Sequence, residues 1–163
     1  MGSVPPDAAN LDHLRGLLSA YMVKKGLRST EQRRLIVETF FKAPAHITIE
    51  ELLAQVRAAD PKVGYATVYR TLKLLAECGV ANEQRFGEGV TRYEIANEEH
   101  HHDHLICLEC GRIEEFEEPA IEELQEQIAL RHGYEVRSHK HELYGLCPDC
   151  RRRRDGGRAK PSA

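Results

Sequence analysis

No apolar run in this 163-residue sequence approaches the roughly 20 residues that a membrane-spanning helix requires. The N-terminal residues also lack the basic and apolar regions of a secretory signal. A cytoplasmic location, with no membrane partner, is the default expectation. That expectation governs the reading of the five cysteines. In a small secreted protein they would suggest disulfides, but four of them form two Cys-x-x-Cys pairs without a secretion signal, and metal binding is the better reading. The fifth, Cys78, falls in the helical run Val68–Cys78 and reads as a small buried apolar residue. A His-Glu-x-x-His motif is missing too, and with it the signature of a zinc hydrolase. The chain is expected not to be an enzyme.

What is present is ordinary in bulk and uneven in detail. With 41% hydrophobic and 30% charged residues, the chain is long enough for one domain with a good core, or for two small ones. The net charge of −3 conceals an asymmetry. Residues 1–97 carry 13 Lys/Arg and 11 Asp/Glu, whereas residues 98–163 carry 10 and 15. Within residues 20–73 the basic residues outnumber the acidic by 10 to 5. Only a local surface, therefore, could attract a polyanion.

Periodicity divides the chain. Residues 1–10 read as a flexible tail. Leu11, Leu14, Leu17, Leu18, Tyr21 and Met22 recur at helical spacing, and Gly26 stops that helix. Thr30 caps a second helix carrying Leu35, Ile36, Val37, Phe40 and Phe41. Thr48, with Glu51 three residues on, opens a third in a capping-box pattern. A fourth runs from Tyr65 or Ala66 to Cys78. Alternating segments around Gly87-Glu88-Gly89 then read as a hairpin. Helices followed by a hairpin outline a winged helix-turn-helix domain over residues 11–96, the hairpin being the wing. Past the polar residues 96–100 come two strands around 103–107 and 111–116, a helix over about 119–132, and a strand from Glu135 to Leu146. The whole is an α+β chain, and the arginine-rich residues 151–163 read as a basic disordered tail.

The chemistry is concentrated between His100 and Cys110, where four histidines, one aspartate and two cysteines share eleven residues. Cys107-x-x-Cys110 and Cys147-x-x-Cys150 together present four thiolates, a tetrahedral set for zinc with no open position, hence structural rather than catalytic. The histidines divide by parity. On an extended strand His101 and Asp103 point one way, His102 and His104 the other, so one strand serves two imidazole–carboxylate sites. Glu94, Glu115 and Glu122 are the nearby carboxylates. Such sites accept Fe(II), Mn(II), Co(II) or Zn(II) and exchange more readily than an all-thiolate site. In the fourth helix, Tyr65, Thr67, Tyr69 and Arg70 offer hydroxyls, methyl contacts and a forked cation to DNA.

Four segments in order resemble the ferric uptake regulator (Fur) family of metal-responsive repressors: Gly26-Leu27-Arg28-x-Thr30-x-Gln32-Arg33, Ala66–Leu72, His101–Cys107 with Cys110-Gly111, and His139-x-x-x-x-Tyr144-Gly145-x-Cys147-x-x-Cys150. The resemblance covers roughly residues 15–150. It implies a homodimer, with tetramers left open, in which residues 97–150 form a metal-binding dimerisation domain. It implies a regulatory metal site of His46, Glu94, His102, His104 and Glu115, and a second site of His101, Asp103, Glu122 and His139. It further implies a double-stranded, AT-rich palindromic operator, with Tyr69 near thymine methyls, Arg70 at backbone or bases, and Arg28 in the minor groove.

Family members differ in what they sense. Peroxide sensors use aspartates where this chain has Glu94 and Glu115, and zinc sensors often add a cysteine, for which only Cys78 is spare. The leading expectation is an Fe(II)-dependent repressor of iron-uptake genes, with Zn(II) structural and Zn(II) or Mn(II) able to substitute for iron. Zinc-sensing or peroxide-sensing regulation is the alternative within the family. Outside it stand a zinc hydrolase, which would need an open metal position and a general base, and an interaction module with a purely structural zinc.

Overall fold

The computed structural model describes residues 8–87, 89–96 and 103–156. His101 and His102, the polar stretch 97–100, Glu88 of the hairpin turn and residues 157–163 of the expected tail lie outside the described residues. The chain separates into two compact units, divided at residues 98 and 99.

The first unit is helical and then β. Helix α1 (Ala8–Lys24) buries Leu14, Leu18 and Met22, a four-residue repeat that keeps one face inward. It begins inside the segment expected to be a tail, so Ala8, Ala9 and Asn10 are helical. Helix α2 (Glu31–Lys42) is capped by Thr30, whose hydroxyl accepts from the Arg33 amide at 3.1 Å. Helix α3 (Ile49–Ala59) carries the complete capping box: Thr48 Oγ1 accepts from the Glu51 amide at 3.2 Å, and Glu51 Oε2 accepts from the Thr48 amide at 2.8 Å. Helix α4 (Tyr65–Glu77) buries Val68, Thr71, Leu72 and Leu75, leaving Tyr65, Tyr69 and Arg70 on the outer face. Strands β1 (Ala81–Arg85) and β2 (Thr91–Ile95) pair antiparallel, from Ala81↔Ile95 to Arg85↔Thr91. Their turn needs glycine at 89, where a Cβ would stand 2.8 Å from the Phe86 carbonyl oxygen. Ile36, Phe40, Leu52, Val56, Val68, Leu72, Leu75 and Tyr93 form the centre of the core. Helix, helix and wing give the winged helix-turn-helix outline.

The second unit is a three-stranded sheet of order β4-β3-β5 with two helices. Strands β3 (Asp103–Cys107) and β4 (Ile113–Phe116) form an antiparallel pair. Helix α5 (Pro119–Arg131) then carries the chain across to β5 (Glu142–Gly145), which runs parallel to β3. The last strand is much shorter than the expected Glu135–Leu146. Among the described residues, pairing with β3 begins at His104↔Glu142, and the His104 amide donates to the His141 carbonyl at 3.1 Å. Where a disordered tail was expected from Arg151, helix α6 (Pro148–Gly156) instead continues to Gly156, with proline at its first position and Asp149 in its first turn.

Candidate metal centres and nucleic-acid interface

Parallel pairing assembles the thiolate cluster. Cys107 ends β3 opposite Gly145, the last residue of β5, and the Leu108 amide donates to the Gly145 carbonyl at 2.8 Å. Each strand therefore releases its knuckle at the same end of the sheet. A tight turn closed by the Gly111 amide on the Cys107 carbonyl, 3.0 Å, returns Cys110. The start of α6 does the same for Cys150. One sulfur from each of Cys107, Cys110, Cys147 and Cys150 lies within 4.8 Å of all the others, and the Cys110 and Cys147 sulfurs are 3.8 Å apart. The Cys147 amide donates to Cys107 Sγ at 3.3 Å, the Cys150 amide to Cys147 Sγ at 3.5 Å, and Arg153 Nη2 to Cys150 Sγ at 2.9 Å. Backbone donation, chiefly from Cys147, holds the Cys107 thiol down to about 6, whereas burial pushes Cys150 up to about 12. A divalent cation at their centre would let all four be held as thiolates. The donor set fits Zn(II).

The acid–imidazole groups fall into the two units. In the first, Ile47 bridges Tyr93 through paired backbone bonds of 2.9 and 2.8 Å, which lays the His46 loop beside β2. His46 Nδ1 consequently lies 3.3 Å from Glu94 Oε2. Its ring meets Phe86 edge-on at 5.5 Å, and its carbonyl accepts from Arg92 Nη1 at 2.9 Å. Glu94 is steadied by Gln84, whose Nε2 donates to Oε1 at 2.7 Å.

In the second unit, His104 is the cross-strand partner of Glu115 on β4, so both side chains share a face of the sheet. Glu142 is its partner on β5, a neighbouring carboxylate that sequence reasoning did not single out. Asp103, one residue earlier and thus on the opposite face, meets a different set. Donor atoms of Asp103, Glu122 and His139 all lie within 4.8 Å of one another, with His139 Nε2 3.2 Å from Glu122 Oε1 and 3.8 Å from Asp103 Oδ1. The division of Asp103 from His104 follows the strand parity, whereas His101 and His102 lie outside the described residues. His141 was also missed: its Nδ1 lies 3.2 Å from Asp103 Oδ2. A third histidine two residues after His139 was the available signal.

On α4, Tyr65 and Tyr69 are 46% and 42% exposed, whereas Val68 and Leu72 of the same helix are fully buried. Arg70 is exposed, Thr67 is half-buried, and Lys73 stands 5.9 Å from the centroid of the Tyr69 ring. Arg28, exposed in the loop before α2, accepts the Arg33 guanidinium on its carbonyl and leaves its own side chain outward. Cys78, at the C-cap of α4, donates to the Leu75 carbonyl, and burial raises its thiol. It is not among the four mutually close sulfurs. No helix among the described residues is long and apolar enough to cross a membrane.

Comparison with known proteins agrees with this chemistry. The family model described as the ferric uptake regulator family matches residues 24–144. The chain is 45% identical over 127 residues to the ferric uptake regulation protein of Campylobacter jejuni, covering 77% of this chain and 80% of that one. Among solved structures, the ferric uptake regulator Fur of Helicobacter pylori, described as having three functional metal binding sites, superposes with a TM-score of 0.79 at 30% identity. That match covers 86% of this chain and 93% of the other. A zinc-bound manganese uptake regulator gives 0.66 at 42% identity, covering 80% and 98%. The chain belongs to the ferric uptake regulator family, and is a metal-responsive, DNA-binding regulator of transcription.

Proposed function

We propose that this chain is a cytoplasmic Fe(II)-dependent repressor of iron-uptake genes that binds an AT-rich palindromic operator as a homodimer. The observation that carries the reading is the His46–Glu94 pair, built on the loop and wing of the DNA-reading unit. His104 and Glu115 offer the matching chemistry on the sheet of the other unit. With His102 these residues make an imidazole–carboxylate set without a thiolate, which suits Fe(II) and admits Mn(II) or Zn(II). A divalent cation supplies charge and fixed coordination there. A ligand set drawn from both units binds one arrangement of them better than others, and so shifts the population toward the dimer that fits DNA. Cys78, the one spare thiol, sits at the C-cap of the DNA-reading helix rather than in an imidazole–carboxylate set, and Glu94 and Glu115 stand where a peroxide sensor would use aspartates.

Zn(II) held by Cys107, Cys110, Cys147 and Cys150 is structural in this reading, and Asp103, Glu122, His139 and His101 form a second divalent site. Tyr69 and Arg70, with Tyr65 and Thr67, read the major groove, and Arg28 reaches the minor groove. Helix α5 supports a homodimer. It buries no residue of its own, while Leu124 and Ile128 are 53% and 44% exposed.

The test is a fluorescence titration of an operator duplex at fixed salt with Fe(II), Mn(II) and Zn(II) each buffered at its free concentration. Tight binding with Fe(II) is expected, and Tyr69→Ala should weaken it while leaving metal content unchanged. Operator binding with Zn(II) alone would overturn the iron reading.

A further inference from the structure

Asp103 is 1% exposed, yet it carries two carboxylate oxygens that water cannot reach freely. The structure divides them. Oδ1 faces His139 at 3.8 Å, within the donor set of Asp103, Glu122 and His139. Oδ2 lies 3.2 Å from His141 Nδ1. His141 is not one of the mutually close donors, although it touches one of them. Phe116 meets its ring edge-on at 5.8 Å and 73°, and Phe116 is itself the cross-strand partner of Asp103. Strand pairing thus fixes Phe116, Phe116 fixes the His141 ring, and the ring fixes Asp103.

We propose that His141 is a positioning residue for the cation site of Asp103, Glu122 and His139, confining Asp103 to one-oxygen ligation and so favouring Zn(II) and Co(II) over Mn(II). The inference rests on the reading of those three residues as a metal site. With its proton on Nδ1, His141 donates to Oδ2 and leaves Oδ1 for the cation. A carboxylate tied in this way offers one donor and a set orientation. Zinc, usually four-coordinate with nitrogen and oxygen ligands, is content with that; manganese prefers six oxygen-rich positions and gains from a two-oxygen carboxylate. Outer partners of this kind typically change metal affinity by roughly 10- to 100-fold.

Two variants separate the hydrogen bond from the packing. His141→Asn keeps a donor near the Nδ1 position and removes the ring; His141→Phe keeps a ring against Phe116 and removes the donor. Both are made in the full zinc-stapled chain carrying His104→Ala, so that the remaining exchangeable site is read by Co(II) visible absorption and by competition with Zn(II) and Mn(II). His141→Phe should bind Co(II) and Zn(II) roughly 10- to 100-fold more weakly, with a weaker ligand-field band and a lower Zn(II)/Mn(II) preference. His141→Asn should stay close to the parent. Equal affinities for parent and His141→Phe, or equal losses in both variants, would remove His141 from this role while leaving the site. If the parent takes up no Co(II), or if Glu122→Gln changes nothing, the site itself falls, and the proposal falls with it.

Discussion

His46 is the one described non-glycine residue in the left-handed region, at φ 60°. Backbone in that region costs on the order of 1–3 kcal/mol for most side chains and persists only where its surroundings fix it. Here they are the Ile47–Tyr93 bridge on one side and the Arg92 bond to the His46 carbonyl on the other. Together they aim the imidazole at Glu94 rather than into solvent. Asparagine tolerates the same backbone, so His46→Asn isolates the ring from the loop. We expect its urea-unfolding free energy to fall by about 0.5–3 kcal/mol, the usual range for a point change, because the buried ring loses its contact with Phe86. Its affinity for Co(II) at the exchangeable regulatory site should fall by more than about tenfold, the least that even outer-sphere losses commonly cost. Unchanged Co(II) binding would remove His46 from the ligand set.

The capping box of α3 operates at the scale of an element and also serves that loop. Thr48 follows Ile47 directly, so the bond between its hydroxyl and the Glu51 amide fixes the chain just where it leaves the bridge to Tyr93. Thr48→Ala should cost about 1 kcal/mol in urea unfolding. Thr48→Ser, which keeps the hydroxyl, should recover most of it, and equal losses in the two variants would assign the cost to packing instead. The box was legible from four residues because a cap is a local event, and so was the cap at Thr30. Elements whose ends depend on distant partners were not. Residues 135–141 alternate like a strand, but the described ladder with β3 takes in only Glu142–Gly145. Helix α6 was hidden by its arginines, which read as a solvated run, although Pro148 and Asp149 are ordinary helix-start residues. The candidate metal residues were read by type and parity, and Asp103 and His104 do part to opposite faces. His141 was not, since its role depends on a contact 38 residues away in sequence.

At the scale of the molecule, the two units draw stability from different sources. The core cluster lies entirely in the first unit, from Leu14 to Tyr93. Among the described residues of the second, only Ile106, Cys107 and Cys150 are buried apolar side chains, and α5 buries none. Full burial of one aliphatic side chain is worth about 1.5–3 kcal/mol, too little to order more than fifty residues. Structural zinc in small domains supplies roughly 10–16 kcal/mol at neutral pH, so the thiolate staple should dominate, with the exposed face of α5 adding the rest through self-association. Removing zinc with a strong chelator, or replacing Cys107 with serine, should then unfold residues 103–156 selectively. Hydrogen exchange is expected to show amides of β3, β4 and β5 losing protection while those of α2, α3 and α4 keep theirs, and sedimentation should show the dimer dissociating in step. Retained protection in β3 after complete zinc loss would mean that packing and self-association suffice, and would reduce the four cysteines to an accessory role.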